Sequence, residues 1–333
     1  MLSTNTPASR YASIDDILGD SQKRFFGAGY RQVRQHVRDV RVDAGAAKSV
    51  HATASIVYPA AWSKKKDREL QPHLSSVDAI VIGAQMCDAY LRLTYGIEGP
   101  DADRVWLRRI VLKAGQTPTL DLAQVPSHCS LLKTEAVADS LCGHLSYFSG
   151  RVGTMGVELV FDHPVAETRE AAGRCDDVAN LLGPAEGRYF GSGYTAMRVM
   201  MRDVDLEPNG RGARTLLDLE PPPGAPPPRG MGAAYFPFVS GLMAIVSVAQ
   251  LAQAMLYTYD SIDREASNNL WMRRIMITSP RPAAAGLQLP VYTWCRKTSL
   301  LPIKDALWRS ANFGVTMPGI EGEYSLAHQL PRG

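Results

Sequence analysis

The sequence predicts an α+β fold built from two copies of one unit, and three observations predict it. The first is a repeated phrase. Residues 24–43 read RFFGAGYRQVRQHVRDVRVD and residues 188–207 read RYFGSGYTAMRVMMRDVDLE, identical at nine of twenty positions and 164 residues apart. The second is a further set of blocks in the same order: AIVIGAQMCDAYL (79–91) matches AIVSVAQLAQAML (244–256), and WLRRI (106–110) matches WMRRI (271–275), both at an offset of 165. The third is that each copy holds one long apolar segment among short β-prone ones. Two copies are too few for a solenoid, so fused halves related by a pseudo-twofold axis are expected, as in an isologous dimer. One buried helix wrapped by an antiparallel sheet is the hotdog arrangement, and two such units side by side make a double hotdog. The expected division is an N-terminal extension (1–20), a first hotdog repeat (21–170) and a second (171–333).

Each element follows in order. YRQVRQHVRDVRV is rich in Val and lacks helix caps, which predicts a strand. Alternation puts Tyr30, Gln32, Arg34, His36, Arg38, Val40 and Val42 on one face and Val33 and Val37 on the other, an imperfect pattern. HATASIVYP (51–59) reads as its hairpin partner, ended by Pro59. SSVDAIVIGAQMCDAYLRL (75–93) is apolar on nearly every side, the mark of a core helix, with Ser75 or Ser76 able to cap it. Three strands are expected after it: RVWLRRIVLK (104–113), DSLCGHLSYF (139–148) and VELVFDH (157–163), the last two joined by a turn at SGRVG (149–153). In the second unit EPPPGAPPPRG (220–230) predicts a stiff surface loop. From Gly230 to Tyr259 no residue is charged, a run long enough to suggest a membrane span. Its repeat partner carries Asp78, Asp88 and Arg92, and equivalent helices share an environment, so a buried core helix and no membrane span are expected.

Composition narrows the function classes. The 333 residues carry a net charge of +3, too weak a bias for a nucleic-acid partner. Five cysteines without a CxxC pair, and an N-terminus without an apolar h-region, lead to the expectation of reduced thiols and a cytoplasmic location. No metal-ligand spacing, phosphate loop or GxSxG is present, so no cofactor is expected.

The polar exceptions on the apolar helix are the candidate site. At about 100° per residue, Asp78, Gln85, Asp88 and Arg92 fall within a stripe of roughly 80°; as an i,i+4 pair, Asp88 and Arg92 also fit a simple ion-paired face. The matching positions of the second helix are Met243, Gln250, Gln253 and Tyr257, with no acid. A single active site would therefore draw its acid from the first unit and use the second as a wall. His73 precedes the first helix and Asp78 lies in its first turn, so either can serve as base. The free N–H groups around Ser76–Ala79 can hold a carbonyl oxygen as it becomes negative. A lone histidine at a helix start is equally an ordinary structural feature. The pairs Arg108/Arg109 and Arg273/Arg274 are the other candidates; alternation puts Trp106 and Arg108 on one face and Arg109 on the other. One arginine of each pair can bind a phosphate or carboxylate by its fork, or pair internally with an acid such as Asp39 or Asp203.

The layout resembles that of hotdog enzymes acting on acyl thioesters, whose dehydratases place a histidine before the long helix and an acid on it. Aligning GAQ here with the dehydratase MAQ puts Val81, and Val246 in the second unit, at the acid position, which speaks against a dehydratase. YASIDDILGDSQKRFFGAGYRQVR, with ATASIVYPAAWSKK and HLSSVDAIVIGAQ, resembles the AvrD (avirulence D) family of bacterial proteins along most of the chain. That resemblance implies production of syringolides, small acyl glycosides. The implied reaction condenses a 3-oxoacyl thioester, on acyl-carrier protein or coenzyme A, with a small sugar (a pentulose such as xylulose), followed by ring closure. A-factor synthases are similar in logic, pairing a 3-oxoacyl carrier with a three-carbon phosphate. The alternatives are a thioester dehydratase or hydratase and a non-catalytic acyl-binding protein, and the chain is expected to be a monomer (a pseudo-dimer) or a homodimer.

Overall fold

The computed structural model describes residues 9–59, 64–65, 68–69, 71–169, 172–264, 267, 270–303 and 306–331. The boundary expected at 170/171 and residues 1–8 of the expected extension lie outside them. The first half contributes β1 (Ser9–Ser13), β2 (Arg34–Asp43), β3 (Ser49–Val57), a short ladder of β4 (Lys64–Lys65) and β5 (Arg68–Glu69), then β6 (Trp106–Lys113), β7 (Val125–Ala136), β8 (His144–Val152) and β9 (Met155–His163). The second contributes β10 (Ala172–Asp177), β11 (Arg198–Leu206), β12 (Gly212–Glu220), β13 (Leu270–Thr278), β14 (Leu289–Ile303), β15 (Ala306–Met317) and β16 (Ile320–Gln329). Fourteen of these form one antiparallel sheet in the order β1-β11-β12-β14-β15-β16-β13-β6-β9-β8-β7-β3-β2-β10. That order reads the same from either end once repeat partners are exchanged: β6 pairs with β13 at the centre, β1 closes the second unit's outer edge and β10 the first's.

Each half wraps one 20-residue helix, α2 (Ser76–Tyr95) in the first and α5 (Gly241–Asp260) in the second. Three short helices, α1 (Asp15–Leu18), α3 (Gly99–Arg104) and α4 (Ala179–Leu182), complete the α content. The architecture is the expected double hotdog. Ser75 caps α2 in a capping box with Asp78, and Gly96, in the left-handed region at φ 59°, ends it. Ser240 caps α5. α5 is apolar and long enough to cross a membrane by composition, yet 83% of its apolar window is buried between the sheet and α2.

The repeated phrase now has a physical reason. Arg24 Nε donates to the Gly19 carbonyl at 3.0 Å, and Arg188 Nε donates to the Gly183 carbonyl at 3.0 Å. Gly27 and Gly191 press against backbone; a Cβ there would run into the carbonyl oxygens of Ser21 and Ala185. Tyr30 and Tyr194 stack on each other across the pseudo-twofold axis, with centroids 6.4 Å apart and rings 14° from parallel. The shared Arg-Asp-Val triplet is a β-bulge. Asp39 (φ 52°) and Asp203 (φ 49°) take the left-handed conformation, which Asp tolerates better than most residues, and each pairing register shifts there.

That bulge corrects the expected faces. Tyr30 and Gln32 lie in a short 3₁₀ turn (Gly29–Gln32) ahead of the strand. Gln35 and Val37 point inward, and the extra residue at the bulge lets Val40 and Val42 point inward too. The Arg pairs sit at bulges as well, between Leu107 and Arg109 and between Met272 and Arg274, so simple alternation fails there. β8 starts at His144 and runs through the expected SGRVG turn to Val152; the turn itself is at Gly153–Thr154. Cys142 thus precedes the strand. β7 was not expected at all. The Pro-rich loop is largely exposed, as anticipated.

A buried polar chain closes the far end of the first unit. The Pro164 carbonyl accepts from His163 Nδ1 at 2.8 Å, so Nε2 must accept from Ser146 (2.7 Å), which in turn accepts from Thr134 (2.7 Å), itself facing Tyr95 (2.7 Å). Burial lowers His163 to about 4. Because the folded state resists a proton that the unfolded chain takes up near pH 6.5, His163 contributes stability in full above that pH. The contribution is lost as pH falls toward 4, by about 3 kcal/mol. Denaturant midpoints from pH 7 to pH 4 should fall less steeply for His163→Gln than for the wild type; parallel slopes would contradict this.

Candidate functional site

A cavity of about 640 Å³ opens beside the N-terminus of α2. One wall is the first repeated phrase (Arg24, Phe25, Phe26) and the helix entry (His73, Leu74, Ser75, Ser76). The facing wall comes from the second unit, including Trp271, Arg273, Leu301 and Trp308. The site is therefore shared between halves, with the first supplying the helix end and the second a wall.

His73 lies on the cavity wall with its ring 5.4 Å from that of Trp271. Its Nδ1 is 3.1 Å from the Gln71 carbonyl, which can only accept. That contact puts a proton on Nδ1 and orients the ring. Asp78 lies beneath, 0% exposed and outside the lining. Its Oδ1 accepts from Gln35 Nε2 at 2.7 Å; its Oδ2 accepts from Tyr58 at 2.6 Å and from Ser75 N and Oγ at 2.9 and 2.7 Å. Gln35 in turn accepts from Tyr194 of the second repeated phrase at 3.2 Å. The ordering of the helix end thus runs from one unit into the other. Burial, followed by the Asp78 charge, holds the Tyr58 phenol well above its ordinary value.

Of the four orphan N–H groups of α2, Ser75 N is taken by Asp78 and Asp78 N by Ser75 Oγ. The pair left for a ligand narrows to Ser76 and Val77, of which Ser76 lines the cavity.

The polar stripe is divided. Gln85 and Asp88, about two to three turns further along α2, line a second void of only about 10 Å³ with Arg188, Tyr189, Phe190 and Arg229. Asp88 is held by Arg92 Nε at 3.0 Å. The arginine pairs separate too. Arg273 lines the open cavity, whereas Arg108 lies 3.4 Å from buried Asp162 and Arg109 Nη2 is 3.3 Å from Met276 Sδ. Arg274 is exposed and outside the lining. Asp162 is the internal partner of Arg108, where Asp39 or Asp203 had been the expectation.

The family model described as Pseudomonas avirulence D protein (AvrD) matches residues 9–331. The chain belongs to the AvrD family. No curated protein matches its sequence. Solved structures that resemble it include a thioesterase II from Thermobifida fusca (13% identity, TM-score 0.33, covering 93% of this chain and 98% of that one). Another is the 12:0-ACP thioesterase from Umbellularia californica (8%, TM-score 0.38, covering 84% and 94%). A third is a Mycobacterium tuberculosis protein described as a double hotdog (10%, TM-score 0.37, covering 80% and 98%).

Within this AvrD-family chain the two helix ends are pseudo-equivalent but not alike. The repeat offsets of 164 and 165 put Val199 at the Gln35 position and Met243 at the Asp78 position. Tyr30, the counterpart of Tyr194, accordingly finds no hydrogen-bond partner for its hydroxyl among the described residues. At the first end a buried carboxylate network orders the helix entry beside an open cavity; at the second, Met243 and Val199 stand in place of its acid and amide. Sequence reasoning missed Gln35, Tyr58, Arg24 and Trp271. Arg24 and Gln35 stood in the repeated phrase and Trp271 in the WMRRI block, but what each touches became visible only in three dimensions.

Proposed function

We propose that this AvrD-family protein is an enzyme acting on acyl thioesters, and that it condenses a 3-oxoacyl thioester with a small sugar, a pentulose such as xylulose. The observation that carries this reading is one open cavity joining aromatic and aliphatic walls to a capped helix N-terminus and a histidine of defined tautomer. Phe25, Phe26, Leu270 and Met272 offer the acyl chain an apolar surface. The thioester carbonyl points at the N–H groups of Ser76 and Val77, which stabilise its oxygen as negative charge develops. His73 Nε2 takes the proton of a sugar hydroxyl while that oxygen bonds to the carbonyl carbon. The C–S bond then breaks and the thiol leaves with the proton. In the resulting 3-oxoacyl ester the α-carbon, flanked by two carbonyls, loses a proton to the same base and attacks the sugar ketone, closing a ring by a C–C bond. Neither step changes the net oxidation state. Asp78 acts as a positioning residue, because its carboxylate is buried outside the cavity lining and is occupied by Gln35, Tyr58 and the Ser75 cap.

The test is incubation of the pure protein with 3-oxoacyl coenzyme A or 3-oxoacyl carrier protein and xylulose, read by mass spectrometry. An acyl-sugar lactone with release of one thiol per product is the expected result. Free 3-oxo acid alone would identify a hydrolase, and unchanged thioester a binding protein; either overturns the condensation.

A further inference from the structure

The outer face of the sheet carries a row of basic side chains in one half only. From β2 across to β13 the strand registers bring Arg41, His51, His128, Arg151, Lys113 and Arg274 into one line, with Gly156 of β9 between Arg151 and Lys113. All six basic residues are exposed. Among the described residues Lys113 has an ion-pair partner, Glu158 at 2.5 Å, and the three arginines have none. Neighbours in the row act on each other: His128 is held below its ordinary value by burial and then by His51 and Arg151.

The second unit is an internal control. Traced through the same strand pairings, its equivalent row reads Asp205, Arg214, Tyr292, Thr316, Glu321 and Thr278. Its charges are of mixed sign and are paired locally: Asp205 lies 3.1 Å from Arg10, and Arg214 lies 3.6 Å from Glu207. Beside that row Arg198 lies 3.9 Å from Glu220, and Arg202 pairs with Asp218. In the first unit Val57 and Ser55 stand where β12 has these two acids. One fold element is therefore neutralised in the second half and left cationic in the first.

The row also reaches the cavity. Lys113 directly precedes Ala114, and Arg274 directly follows Arg273; Ala114 and Arg273 both line it. Six strand steps of about 4.8 Å carry the row roughly 29 Å around the sheet. That is too long for one small anion, and it matches the breadth of a folded domain of about 100 residues, whose radius of gyration is about 13 Å. Asp43 and Glu158 share the next row of the same face, which favours a partner with placed charges over a continuous phosphate backbone. The face curves around α2, so a flat membrane would meet only part of it. We infer that this row is a docking surface for an acidic protein that carries the acyl thioester and presents it to the cavity at the Lys113–Arg274 end. Opposed surface charges steer such an encounter and fix its register. The inference deepens the proposed reading and rests on it for the identity of the cargo.

Fluorescence anisotropy on the full chain tests it, with a labelled bacterial fatty-acid acyl-carrier protein bearing a 3-oxoacyl chain as probe. The double variant Arg41→Glu/Arg151→Glu, at exposed strand positions, should weaken binding about tenfold or more. Thr316→Glu, which adds an acid at the position of the second unit equivalent to Arg151, should change it less than twofold. Thermal melts of both variants should match the wild type. Absent binding, or binding weakened equally by both variants, overturns the docking surface. Duplex DNA or phosphatidylglycerol vesicles binding more tightly than the carrier, with loss in the double variant, would reassign the row to a different partner and also overturn it. The two readings fail separately. Carrier binding through the row without condensation product leaves the surface and removes the reaction. Product formed from the carrier at an unchanged KM in the double variant removes the surface and leaves the reaction.

Discussion

His73→Gln is expected to lower the condensation rate by about 10²- to 10⁴-fold, the usual contribution of a positioned general base, with little change in stability. The histidine lines the cavity and is only partly buried, so its removal leaves no hole in the core. Its Nδ1 donates to the Gln71 carbonyl and its ring packs against Trp271, which holds the imidazole in one orientation. Glutamine keeps bulk and polarity but has no basic nitrogen. Steady-state kinetics on both variants, with thermal melts alongside, check this; a fall of less than threefold would assign the base elsewhere.

Asp78→Ala is expected to destabilise the fold by about 3–5 kcal/mol. Its carboxylate receives four donors, from Gln35, Tyr58 and both Ser75 groups, in a site with no exposure. Removing it strands those donors, each unpaired buried group counting for about 1–3 kcal/mol, and also removes the Asp78 half of the α2 capping box. Val or Ala elsewhere on α2 would lose only packing. Urea unfolding of Asp78→Ala and Asp78→Asn should rank alanine as the worse, because asparagine keeps one acceptor oxygen. A loss below 1 kcal/mol for alanine would mean that the network is not cooperative and that water replaces the carboxylate.

The two variants separate roles that sequence spacing alone runs together. On a helical wheel, Asp78, Gln85 and Asp88 share one stripe and invite one function. In three dimensions Asp78 belongs to a helix cap, whereas Gln85 and Asp88 line a small closed void. The stripe is real as a face of α2. What it meets changes along its length, because its partners come from different parts of the chain, Gln35 and Tyr58 at Asp78 but Arg188 and Arg229 around Asp88.

The same division holds for the fold. Both long helices were legible, and so was a serine cap at the start of α2, since a long apolar stretch and a serine ahead of it are local signals. β7 was not, for a local reason: its inward residues Val125, Ser127 and Cys129 alternate with polar ones but include little that is strongly apolar, and Pro126 argues against a strand. The bulges hid in plain view. Arg-Asp-Val occurs twice, yet a register shift becomes apparent only when the partner strand is aligned against it.

The sequence by itself determined a duplicated unit, its buried helix and the repeated spacing of its glycines and tyrosines, because those properties are written in periodicity and repetition. Only the tertiary structure decided which of two matching helix ends opens into a cavity. That outcome depends on the surfaces that distant parts of the chain bring to each helix end, and packing and ion pairing act across space, not along the backbone.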